Sequence, residues 1–179
     1  MRWIGWVVVA ALMAAACSVG EPRLAMSSEV PDDLRMLGAE VWEEVVAAFP
    51  ARRGCLVGLE LDVAWDLPDR ARYVPDGRRI VVRAPGTAPN LSASIVHEVG
   101  HHLEFACPDQ PSVREAFLVA EGFPSGTPWF GEGDWFATPS EHWAEAVVAH
   151  VRGERTINVG RVPVSDEAIE VVARWAEGG

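Results

Sequence analysis

The segment Asn90 to Phe105, NLSASIVHEVGHHLEF, decides how the rest of the chain is read. Leu91 to Phe105 runs without proline, Asn90 can cap it, and Ile95, Val99, Leu103 and Ala106 are spaced to bury one stripe of a helix. A helix turns about 100° per residue, so His97 and His101 share a face separate from that stripe, and Glu98 flanks them. His-Glu-x-x-His on a helix sets two imidazoles one turn apart with a carboxylate able to hold a water beside a metal, which is half of a zinc hydrolase site. Glu104, three residues after His101, either orients that imidazole or stands solvated.

Two imidazoles do not complete a catalytic zinc site, which needs a third protein ligand and an open position. The stretch Thr138 to His150, TPSEHWAEAVVAH, opens like a helix, with Thr138 as cap and Pro139 in the first turn. Glu141 and Glu145 lie four apart and face the same way. Glu141 either closes a capping box with Thr138 or supplies the missing ligand, and the HExxH segment favours the ligand. Glu145 or His142 could serve instead.

HEVGH followed some forty positions later by a helix carrying Glu-x-x-x-Glu is similar to the gluzincin metallopeptidases, and HEVGHHLE with PSEHWAEA looks most like the anthrax lethal factor branch. The resemblance covers these two helical segments. It implies that His97, His101 and Glu141 bind Zn2+, that Glu98 is the general base, and that Glu145 is a supporting carboxylate behind the ligands. Two departures stand out. Glu104 occupies a position where the closest relatives tend to have Asp. Many gluzincins also use a Tyr or His to stabilise the oxyanion, whereas the one tyrosine here, Tyr73, is far upstream; His142, His150, His102 or an Arg would have to substitute. A metzincin would need Gly at position 104 and His at 107, where this chain has Glu104 and Cys107.

Residues 1–17 read as a secretory signal: Arg2, an apolar run from Trp3 to Ala16, and small residues before Cys17. Ala14 to Cys17 also resembles a bacterial lipobox, which makes Cys17 a lipidation candidate. An exported or envelope-anchored protein is expected, touching membrane only through that segment. Cys55 and Cys107 are then expected to form a disulfide tying a strand to the end of the HExxH helix.

The formal charge is −11, and all 15 basic residues are Arg. That balance argues against nucleic acid and anionic lipid as partners. Ser18 to Val30 reads as a tether and 31–179 as one α+β domain of zincin-like type, expected to be monomeric. Asp32 to Phe49 is a predicted amphipathic helix ended by Pro50, with Leu34, Leu37, Val41, Val45 and Ala48 on one side. Cys55 to Trp65 alternates like a strand, and Ala71–Pro75 and Arg78–Ala84 flank the hairpin signal Asp76-Gly77. A short helix over Ser112–Ala120, a loop over Gly122–Ala137, the Glu helix to Val151 and a last helix over Ser165–Ala176 complete the frame. The Arg79–Arg83 strand is expected to offer its edge to an extended peptide, or to be an edge protected by its arginines. The loop aromatics Phe123, Trp129, Phe130, Trp135 and Phe136 either line a pocket or pack as a satellite core.

These readings converge on a zinc-dependent peptidase acting on a peptide or protein. The alternative is an exported binding module that keeps the frame without chemistry.

Overall fold

A computed structural model describes residues 20–131, 134–153 and 162–179. The proposed signal segment, with Cys17, lies outside these residues. No helix among them is long and apolar enough to cross a membrane.

The chain is α+β, with a four-stranded mixed sheet in the order β1-β2-β4-β3. Helix α1, Asp32–Ala48, buries Leu34, Val41, Trp42 and Val45. Pro50 then opens a 3-10 turn over Pro50–Leu56, which places Cys55 in a turn and corrects the expectation that it begins a strand. Strand β2, Glu60–Ala64, begins later and pairs in parallel with β4, Arg79–Arg83. Strand β3, Ala71–Val74, pairs antiparallel with β4 through the expected hairpin, where Arg78 takes the left-handed conformation. Ile80 and Val82 of β4 are buried while Arg83 is exposed, the period-two pattern of a sheet with one covered face.

Two expectations are corrected. The Ser18–Val30 stretch is more than a tether: Ala25–Met26 forms β1, paired in parallel with β2, and Val30 is buried in the core. A two-residue strand is too short to show alternation, so it leaves no sequence signal. Strand β4 lies between β2 and β3, so it has no free edge; among the described residues the edges are β1 and β3, and β3 is the one that borders the cleft.

Helix α2, Ala88–Ala106, is capped at Thr87 with Pro89 in its first turn, two residues before the Asn90–Leu91 start read from the sequence. It packs between the sheet and α4, Pro139–Arg152. The helices meet at Gly100, where an added Cβ would lie 2.7 Å from the Ala144 Cα. Trp143 of α4 sits at the centre of the core, edge-on to Phe117 of α3 (Arg114–Ala120) and to Trp175 of α5 (Asp166–Ala176). Cys55 and Cys107 are disulfide-bonded, closing a separation of 52 residues and fixing the end of α2 to the turn after α1. A link of that span stabilises by roughly 2 to 4 kcal/mol.

Candidate metal centre

The close approach at Gly100 brings the first turns of α4 against the histidine face of α2. Glu141 Oε2 lies 3.1 Å from His97 Nε2 and 3.4 Å from His101 Nε2, and the two Nε2 atoms are 3.2 Å apart. Ligands about 2.05 Å from a tetrahedral zinc are separated by about 3.3 Å, so this triangle has the edge lengths of a zinc site's protein face. Each ring N–H points along one direction only, so one such triangle cannot be satisfied along every side by hydrogen bonds. It is the geometry of lone pairs converging on a shared point. Among the described residues these three form the cluster able to hold a cation.

The far nitrogens of the imidazoles are also held. His97 Nδ1 meets Glu145 Oε1 at 3.1 Å, and His101 Nδ1 meets Glu104 Oε2 at 3.1 Å. An Nδ1–H donated to a carboxylate leaves the Nε2 lone pair facing inward, the tautomer a metal requires. Glu104 is buried and not solvated; its carboxylate also accepts from Ser140 Oγ at 2.9 Å and Trp129 Nε1 at 3.0 Å. Burial pushes the Glu104 carboxyl up, while His101, Ser140 and Trp129 pull it back down. Burial disfavours charge on His97, yet Glu141 and Glu145 outweigh it and push the imidazole up to about 9. Burial likewise opposes charge on Glu141, but His101 and His97 override it and hold the carboxyl well below the usual range.

The donor set fits zinc: two imidazoles, one carboxylate and a side open to the cleft. Glu98 is buried beside the triangle, on the cleft side of α2 and near the Tyr73 backbone. Burial pushes its carboxyl up, an effect that His97 and His101 oppose. Glu145 lies behind His97 and His142 turns away, its Nε2 2.9 Å from the Phe136 carbonyl, so neither alternative third ligand joins the triangle.

The three histidines that could substitute for a tyrosine at the oxyanion are engaged elsewhere. His102 Nε2 donates to the Cys55 carbonyl at 2.8 Å, so its Nδ1 accepts from the Tyr73 hydroxyl at 3.0 Å. His150 Nε2 bonds to the Ala48 carbonyl. Tyr73 itself lines the cleft, far from the ligands in sequence but near in space.

The cleft has a volume of about 730 Å³ and lies between α2, α4, β3 and the loop before α4. The loop aromatics divide. Trp129 is buried against Phe117, whereas Phe130 and Trp135 are exposed at the rim, Trp135 standing edge-on to His97. Phe130 stacks on Phe105.

No family model matches the chain, and no curated protein or solved structure does. Sequence reasoning missed Ser140 and the bond from Trp129 to Glu104. Ser140 adjoins Glu141, which gave a weak signal; Trp129 sits in an irregular loop, where no periodicity indicates direction.

Proposed function

We propose that this chain is an exported, zinc-dependent metallopeptidase of gluzincin type. The observation that carries the reading is the convergence of His97, His101 and Glu141, each imidazole steadied from behind by a carboxylate. His97, His101 and Glu141 would hold a zinc ion, which would supply Lewis acidity to activate water near neutral pH and to polarise a carbonyl. Glu98, buried beside the triangle, receives the proton of the attacking water on its carboxylate and passes it to the leaving amine. The β3 edge, bordering the cleft, offers backbone groups to an extended peptide. Phe130 and Trp135 line one side of the cleft and offer it apolar surface.

The test is Glu98→Gln in the zinc-loaded full chain. Loss of cleavage with one zinc retained supports the assignment; full peptidase activity would show that the base is another group. The binding-module reading has one observation in its favour, that His102, His142 and His150 all hold backbone carbonyls and none is available to steady an oxyanion. One zinc per chain with no cleavage of a broad peptide library would favour it.

A further inference from the structure

The sheet edge beside the metal centre concentrates positive charge in an acidic molecule. Residues 70–83 hold five of the 15 arginines against the single Asp76, in a chain of formal charge −11. Three of them, Arg70, Arg72 and Arg83, are exposed and border the cleft.

Their direction follows from strand register. Ile80 and Val82 are buried, and their partners across the ladder are Tyr73 and Ala71, so these residues share the inner face. The Tyr73 ring confirms this by packing on His102 and Phe105 of α2. Arg72, opposite Val81, and Arg70, whose carbonyl accepts from the Arg83 N–H at 2.8 Å, therefore project from the outer face. Arg72 is paired with Asp69 at 2.7 Å, and Arg83 donates to the Leu67 and Pro68 carbonyls, which fixes its guanidinium at the rim.

The Arg83 N–H donates to the Arg70 carbonyl, so positions 70, 72 and 74 are those hydrogen-bonded to β4, and at Ala71 and Tyr73 the backbone groups turn outward from it, on the edge that borders the cleft. A strand laid antiparallel on that edge places the residues opposite Arg72 and Arg70 on the outer face, two apart, each beside a guanidinium. The residue opposite Tyr73 turns inward, toward the aromatic shelf of Tyr73, Phe105 and Phe130.

We propose that the cleft selects peptides bearing two acidic side chains in an i, i+2 pattern, seated against Arg72 and Arg70, after a large apolar residue that meets the aromatic shelf. The inference rests on edge-strand capture at the proposed metallopeptidase site and adds the chemistry of the chain captured there. The outer-face arginines act by cross-strand charge pairing, and Arg83 extends the positive field along the same rim. Asp69 offsets part of that field, so two carboxylates are needed for a clear preference.

The experiment compares acetylated and amidated peptides containing Phe-Asp-Ala-Asp, Phe-Asn-Ala-Asn or Phe-Lys-Ala-Lys, and an Ala-only peptide with a free C-terminal carboxylate. Zinc-loaded full chain is assayed for kcat/KM, and the Glu98→Gln protein for binding of the same peptides carrying a fluorophore. The acidic peptide is expected to exceed the amide analogue by about fivefold in both assays, with the difference shrinking in about 0.5 M salt. The Arg70→Glu/Arg72→Glu double variant should reverse the order and favour the lysine peptide while still binding one zinc. Equal values for the three capped peptides, or an acidic preference that survives charge reversal, would overturn the proposal. So would a free C-terminus replacing the side-chain acids without loss. If binding shows the preference but no peptide is cut, the acidic edge stands and the peptidase reading fails.

Discussion

Where α2 crosses α4, Gly100 leaves no room for a methyl group and both nitrogens of His97 and of His101 meet carboxylates or each other. Around the rim of the cleft, Arg70, Arg72, Phe105, Phe130 and Trp135 stand exposed. The first wall is built from buried polar groups that satisfy one another, where any displacement leaves a charge unpaired. The second is built from side chains that solvent can reach, where displacement costs little. Metal chemistry demands the first kind of wall, and recognition of a flexible chain is served by the second.

That contrast is broken most directly by removing a ligand. His101→Ala or Glu141→Ala should abolish stoichiometric zinc, read by metal analysis after gel filtration, because two donors do not make a three-sided face. Gly100→Ala drives a methyl against the Ala144 backbone and should push α4 outward. We expect a loss of about 1 to 3 kcal/mol in denaturant unfolding together with weakened zinc affinity. Unchanged zinc affinity would show that the crossing does not set the ligand spacing.

Trp129→Phe keeps the packing on Phe117 but deletes a donor to Glu104. Loss of such a supporting bond should weaken zinc by roughly 10-fold or more, measured against a competing chelator. Burial pushes His102 down to about 4, with the Cys55 carbonyl only partly offsetting it. A depressed value means the neutral ring contributes stability that is full above the unfolded value near 6.5 and is lost as pH falls from there toward 4. Histidine NMR should therefore show His102 still neutral at pH 5.5, and titration near 6.5 would contradict its placement. On the exposed side, Phe130→Ala should change unfolding stability by less than about 0.5 kcal/mol while raising KM a few-fold.

Much of the first wall was legible because helical periodicity converts sequence spacing into direction: His97, His101 and Glu104 fall on one face, and Glu141 and Glu145 on another. Glu141 is the third ligand that the sequence favours over Glu145 and His142, and the crossing at Gly100 brings its carboxylate, not theirs, to the inner nitrogens of both imidazoles. The second wall was poorly legible. Arg79–Arg83 reads as an edge strand because a hairpin signal does not say which of its strands pairs onward, and the parallel pairing of β4 with β2 skips over β3 in the sequence. The loop aromatics likewise gave no direction, since an irregular backbone has no period, and they split between core and rim.

The most direct test of the central claim is zinc K-edge X-ray absorption on the full chain loaded with one equivalent of Zn2+. The account predicts a four-coordinate first shell of nitrogen and oxygen near 2.0–2.1 Å with the scattering signature of two imidazoles, lost in Glu141→Ala. A shell lacking imidazole scattering, or one unchanged by Glu141→Ala, would contradict it.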